Sequence, residues 1–378
     1  MLTLPPLSLY IHIPWCIKKC PYCDFNSHKA LGNVPEKEYI DALIADMYAD
    51  LPFAQGRRLS TIFFGGGTPS LFSASSIDTI LQSAEDIFGF LDDIEITLEA
   101  NPGAIDEKKF AGYFNAGVNR LSIGVQSFNS AHLQRLGRIH TSKNALNAIN
   151  SAQKAGFDNI NIDLMHGLPD QTIKEAESDI EIAMDSGVPH VSWYQLTIEP
   201  NTEFFSRPPV LPADERLADI QQAGMFFLRD HGFQQYEVSA FYKNHRPSQH
   251  NINYWTFGDY LGIGAGAHGK ITLTDSNQII RTAKTRQPDH YLARVGAALV
   301  KQEPIESGEI ALEFMMNALR LKQGVPTHYF NQRTGLETET IEKIISQLQS
   351  EGLMEPSSSH FCTTNLGYRF LNSVLQYF

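Results

Sequence analysis

An alternation narrows most what this chain can fold into. Six short runs rich in Leu, Ile, Val and Phe lie at residues 7–14, 60–64, 95–99, 120–125, 159–165 and 190–198. Longer amphipathic stretches separate them, at 36–50, 75–88, 106–115, 142–155 and 173–185. Near-continuous apolar runs suit parallel strands covered on both faces, and strand–helix repeats need right-handed crossovers. Such units predict an α/β core. Ser142 stands where a helix over 142–155 needs an N-cap, and Gly156 where that helix must stop.

Beyond residue 205 the pattern loosens. A Pro-rich connection at 206–212 leads to a helix at 214–230, and the Gly-rich stretch 261–269 marks a tight crossing or turn. Helices are predicted at 288–300, 308–321, 338–351 and 366–377, with a β-wing at 353–364. The expected organisation is a core over 1–205, an extension over 206–284 and a mainly helical, winged-helix-like domain over 285–378.

Unusual polar residues cluster where the apolar runs end. Cys16, Cys20 and Cys23 follow the first run, Gly65, Gly66 and Gly67 the second, and the stretch from Glu99 to Asn101 closes the third. Gln126, Asp163 and Thr197 sit at or near the ends of the other three. Parallel barrels and open sheets bind ligands at the C-terminal ends of their strands.

Composition removes several functions. With 30 Lys+Arg against 42 Asp+Glu, the net charge of −12 argues against a broad basic face for nucleic acid. No run of about 18 apolar residues suggests a membrane span. Pro5 and Pro6 interrupt the N-terminal apolar stretch, which does not read as a signal peptide. Three of the four cysteines crowd into residues 16–23, unlike a disulfide framework. A cytoplasmic protein in a reducing compartment is expected, without a transmembrane segment or nucleic-acid partner.

Cys16, Cys20 and Cys23 are spaced C-x3-C-x2-C on a loop leaving a strand. Thiolates so spaced suit a [4Fe–4S] cluster held at three irons, with the fourth open. Structural zinc usually takes four ligands. A zinc knuckle completed by His12 or His28 is the competing reading, and purely structural cysteines are a third. The spacing resembles the signature of the radical S-adenosylmethionine (SAM) superfamily, and residues 64–70 are similar to its glycine motif. Stretches at 9–16, 98–103, 122–127, 136–138 and 162–164 extend the resemblance to the oxygen-independent coproporphyrinogen III oxidase group. It is strong over roughly 7–270 and looser in the C-terminal domain.

That resemblance implies an α/β fold, a partial (β/α)6 barrel, with a first SAM on the cluster touching Tyr10, Gly66 and Glu99. It places a second SAM near Tyr22, Gly67, Thr68, Gln126, Arg138 and Asp163. The chemistry is sound: carboxylates accept from ribose hydroxyls or an ammonium, and Arg138 forks onto a carboxylate. Phe25 stands where the oxidase has a further cysteine, and the oxidase's long N-terminal extension has no counterpart before the first run. Both departures resemble the heme chaperones, paralogues of the oxidase. His250, Asn251 and Tyr254 form H-N-x2-Y, similar to that family's heme motif: a neutral imidazole ligates iron, and Asn251 and Tyr254 orient the loop or touch the heme edge. His268 is a second candidate, with a core hydrogen-bonding histidine as its competing reading. Cys362 reads as a buried small hydrophobe.

The implied function is a heme chaperone with a [4Fe–4S] cluster, SAM and heme. Its partner would be a heme-acceptor protein, a respiratory membrane enzyme being one candidate, and dimerisation is left open. The alternative is a radical-SAM enzyme that oxidatively decarboxylates coproporphyrinogen III.

Overall fold

The computed structural model describes residues 1–30, 32–103 and 108–378. All six apolar runs are strands: β1 (Leu7–Ile13), β2 (Leu59–Gly66), β3 (Phe90–Ala100), β4 (Arg120–Gln126), β5 (Ile160–His166) and β6 (His190–Gln195). They pair in parallel, each with the next. Between them run α1 (Glu36–Ala54), α2 (Ala74–Phe88), α3 (Phe110–Asn115), α4 (Ser142–Lys154) and α5 (Ile173–Asp185). Part of the helix expected over 106–115 lies outside the described residues.

Local chemistry sets these helices. The N-cap of α4 is Thr141, one residue before the expected Ser142, because Thr141 keeps an extended backbone while Ser142 is already helical. Thr141 Oγ1 accepts from the Asn144 N–H, and Asn144 Oδ1 accepts from the Thr141 N–H. Thr172 and Glu175 form the same box on α5. Gly156, at φ +105°, ends α4 as expected.

The strands divide their side chains between two buried faces. Leu7, Leu9, Ile11 and Ile13 of β1 join Tyr39, Leu43 and Met47 of α1 in the main apolar core. Ser8, Thr61, Thr97, Arg120, Ser122, Asn161 and His190 are buried too, yet polar. Several of them satisfy one another: Thr61 Oγ1 donates to Ser8 Oγ (2.8 Å), Asn161 Nδ2 to Ser122 Oγ (2.8 Å), and His190 Nδ1 bonds Asn161 Oδ1 (2.6 Å).

After β6 come α6 (Asp214–Asp230), β7 (Gln234–Glu237), β8 (Ala240–Tyr242), α7 (Gln249–Trp255), β9 (Asp259–Ile263), β10 (His268–Leu273), β11 (Gln278–Lys284), α8 (Pro288–Leu292) and β12 (Leu299–Pro304). Among the described residues the main sheet has twelve strands, ordered β12-β11-β10-β9-β1-β2-β3-β4-β5-β6-β8-β7. β9 adds a seventh parallel strand beside β1, and antiparallel strands extend both ends of the parallel block. The sheet's edges, β12 and β7, do not meet, so the barrel is partial.

The Gly-rich stretch 261–269 holds the expected tight turn, between β9 and β10. The helix expected over 288–300 stops at Leu292, and 299–304 pairs with the open edge of β11 as β12. That edge offers ladder partners which a continued helix would leave unused.

The C-terminal region is mainly helical: α9 (Ile310–Ala318), α10 (His328–Thr334), α11 (Glu342–Ser350), α12 (Asn365–Arg369) and α13 (Leu371–Leu375). The helix expected over 366–377 is broken at Phe370. Within the expected wing, Met354 bridges Thr363 antiparallel, and His360–Phe361 also pairs antiparallel with Val325–Pro326. Phe314, Phe330 and Phe361 pack edge to face at its centre, and Phe257 joins them from the sheet side. Cys362 is half-buried rather than buried, with its thiol directed at the carbonyls of Lys322 and Thr363. No helix among the described residues is long and apolar enough to cross a membrane.

Candidate functional site

The three thiols leave β1 on one loop and enter a chamber of about 490 Å³ at the C-terminal ends of the strands. Cys16 is buried, Cys20 and Cys23 are half-buried, and the Cys23 N–H bonds the Cys20 carbonyl. Among the described residues no three His, Cys, Asp or Glu side chains converge on a point where one metal ion would sit. A zinc knuckle would need a fourth ligand beside the three thiols. His12 is also committed elsewhere, with Nε2 on the Asn26 carbonyl (2.9 Å) and Nδ1 on the Tyr10 hydroxyl (3.0 Å). Cys16, Cys20 and Cys23 all line the chamber and neither His12 nor His28 does, which fits a cluster with an open iron.

Tyr22, Gly66, Gly67, Thr68, Glu99, Gln126, Arg138 and Asp163 all line the same chamber. Gly66 sits at φ +114°, and a Cβ there would lie 2.6 Å from the His12 ring. At Gly67 a Cβ would lie 2.5 Å from the Trp15 carbonyl oxygen. Only glycine lets this turn press against the end of β1. Gln126 carries φ +71°, strained for a residue with a side chain, and its Oε1 accepts from the Tyr194 hydroxyl (2.7 Å).

Charge in the chamber is arranged asymmetrically. Arg138 donates to Asn101 Oδ1 (2.7 Å), to the Gly124 carbonyl (2.5 Å) and to Cys20 Sγ (3.6 Å), so its guanidinium is fixed beside the thiols. The chamber also holds two carboxylates, Glu99 and Asp163. Asp163 accepts from Asn161 Nδ2 (2.7 Å) and Ser122 Oγ (3.0 Å), although burial pushes its carboxyl upward. Burial and the neighbouring Asp163 push Glu99 up to about 8. A cationic ligand here would relieve that repulsion.

Tyr10 is placed differently. It lines a second cavity, of about 960 Å³, which shares Phe25, Gly66 and Glu99 with the thiol chamber. Tyr254, Trp255 and Tyr260 form aromatic wall, and Arg281, Arg286 and Arg320 line it as well. His250 does not line it. That residue lies on helix α7 rather than on a loop, is only 1% exposed, and packs its ring on Phe63 and against Tyr254. Its Nδ1 bonds Thr61 Oγ1 (2.6 Å), its Nε2 is buried without a partner, and burial lowers its pKa to about 3. Asn251 is half-buried on the same helix.

Glu95 of β3 holds the start of α7, accepting from the backbone N–H groups of Gln249 and His250 (both 3.0 Å). The basic lining of the second cavity escaped sequence reasoning. Its signal is faint: His268 and Lys270 are two apart on β10, and Arg281 pairs across from Lys270 on β11.

The radical SAM superfamily matches residues 10–183, and the HemN C-terminal domain matches 306–370. Over 378 residues the chain is 48% identical to heme chaperone HemW of Escherichia coli (strain K12), covering 100% of this chain and 99% of that protein. This chain belongs to the HemW family. Heme chaperone HemW of Haemophilus influenzae is 48% identical over 382 residues, covering 100% of this chain and 99% of the relative. The structure of E. coli coproporphyrinogen III oxidase, HemN, matches with a TM-score of 0.83 at 23% identity, covering 99% of this chain and 90% of that one. The fold is thus the radical-SAM α/β fold that the cysteine and glycine motifs imply.

Proposed function

We propose that this chain is a heme chaperone, taking up heme and passing it to an acceptor protein. The observation that carries the reading is the cavity of about 960 Å³ with aromatic and cationic walls, abutting the thiol chamber. Its volume lies at the upper end of the roughly 300–1,000 Å³ typical of small-molecule sites. Aromatic faces suit a porphyrin plane and guanidinium groups suit its carboxylates.

In the thiol chamber, Cys16, Cys20 and Cys23 would hold a [4Fe–4S] cluster, which would supply one-electron chemistry to SAM. The chain's own residues bind and orient. Gly66 and Gly67 bring backbone polar groups close to the ligand, and Glu99 meets its cationic or hydroxyl groups. Thr68, Tyr22, Gln126, Arg138 and Asp163 serve the rest of the chamber, with Arg138 poised for a carboxylate. Tyr10 acts from behind the glycine turn, its ring 3.0 Å from a Cβ built on Gly65. Tyr254 presents α7 to the heme, with His250 and Asn251 behind it on the same helix. The acceptor is a heme-dependent protein, a respiratory membrane enzyme among the candidates, and the carrier works in the cytoplasm.

A second reading is oxidative decarboxylation of coproporphyrinogen III. It draws support from Gln126, Arg138 and Asp163 sharing the thiol chamber. Phe25 weighs against it: this side chain is 57% exposed and lines both cavities where the oxidase group carries a thiol.

The test is heme transfer. Hemin-loaded chain mixed with an apo heme protein should lose its heme absorbance as the acceptor's appears. A chain that takes up no hemin, or releases none to any acceptor, would contradict the proposal. Cys16→Ser, reconstituted anaerobically with iron and sulfide, should lose the cluster's visible absorbance.

A further inference from the structure

The cavity beside α7 has an iron ligand to offer, and it is not the histidine of the H-N-x2-Y motif. His250 is sealed behind Tyr254 and Phe63 at 1% exposure, with Nδ1 committed to Thr61. For iron to reach it, α7 would have to leave the Glu95 carboxylate that holds its N-terminus.

His268 stands in the opposite condition. It opens β10, is exposed, and lines the cavity. Among the described residues nothing hydrogen-bonds its ring, so it is not the core histidine that sequence alone suggests. Cross-strand register places the small Ala283 opposite it, leaving the imidazole uncovered. Partial burial, with Arg281, Lys301 and Arg286 nearby, lowers its pKa. It therefore presents the neutral imidazole that metals take.

The same region supplies anion recognition. Arg286 is exposed and donates Nε to the neutral Asn26 Oδ1 (3.2 Å), and no carboxylate among the described residues pairs with it. Arg281 is half-buried and oriented by the Tyr260 hydroxyl (2.8 Å) and by Glu313. Arg320 lies over the Trp255 ring at 4.3 Å, and its other partner is Glu237 (3.1 Å). Of the three arginines, Arg286 is the one whose charge is uncommitted. A ligand with a flat apolar body, a Lewis-acidic centre and pendant carboxylates matches all of these groups.

We propose that His268 is the axial ligand to heme iron in this cavity, and that Arg286, aided by Arg281, receives the propionates. This rests on the heme-carrier reading and adds the residues that seat the cargo. The heme plane lies against Tyr254, Trp255 and Tyr260, so the motif helix contributes a wall rather than its histidine.

The experiment is a hemin titration of the full-length chain, followed by Soret absorbance and by resonance Raman for the iron–imidazole bond. His268→Ala should weaken binding at least about tenfold, or about 1.4 kcal/mol. It should lose the histidine signature and regain it when imidazole is added. Circular dichroism and a second variant, His268→Gln, guard against misfolding. Arg286→Ala should weaken heme much more than heme dimethyl ester, which has no carboxylates. Retention of wild-type affinity and spectrum by both His268 variants overturns the assignment, as does equal weakening of heme and its ester by Arg286→Ala for the propionate contact. If the unaltered chain itself binds no hemin, the carrier reading fails rather than the choice of ligand.

Discussion

Glu99 shows what one carboxyl does when it is buried beside another. Its pKa near 8 means that the folded chain keeps a proton which the unfolded chain releases above about 4.5. Its contribution to stability is therefore full below pH 4.5 and declines as pH rises toward 8. The melting temperature of the ligand-free chain should fall across that interval, and Glu99→Gln should flatten the fall; parallel profiles would contradict the assignment. Asp259 is the opposite case. Burial alone would raise it, yet Lys270 (2.9 Å) and Arg57 (2.7 Å) hold it below the usual carboxylate range. Asp259→Ala leaves Lys270 buried and unpaired, so chemical denaturation should show a loss of about 3–5 kcal/mol. Sequence made neither residue's state legible. A place at the end of a strand marks Glu99, but its partner Asp163 lies two strands away in the sheet, and no motif marks Asp259.

Helix α7 depends on a residue far from it in sequence. Glu95 satisfies two of the N–H groups that a helix start leaves free, and Ser248 caps a third. Glu95→Ala should fray α7 and increase hydrogen exchange at Gln249 and His250, while the neighbouring strands stay protected. Unchanged exchange there would show that the helix needs no such anchor. A weaker local effect is expected at α4, where Thr141→Ala removes one side of a capping box and should cost about 1 kcal/mol. Elements whose signals are local were readable from sequence: the six strands, α5, and the wing between Met354 and Thr363. Those decided by distant partners were not. β12 exists because β11 has an open edge, and α7 was read as a loop because seven residues with mixed polarity carry no clear period.

Across the whole molecule the two cavities form one connected system. Phe25, Gly66 and Glu99 belong to both, and Asn26 ties the thiol loop to the β10–β11 region by donating to the carbonyls of Ala265 (2.8 Å) and Arg286 (2.9 Å). The fold class and the thiol chamber were visible in the sequence because strand ends and motif spacing are one-dimensional patterns. The cargo cavity was not, since β9, α7, the hairpin and α9 meet there only after folding. The central claim is that this cavity carries heme rather than converting its precursor. It is tested most directly by supplying the reconstituted chain, anaerobically, with SAM, a reductant and coproporphyrinogen III, and measuring the porphyrin products. No sustained formation of protoporphyrinogen IX is expected from a chain that binds one heme. Repeated turnover would contradict it.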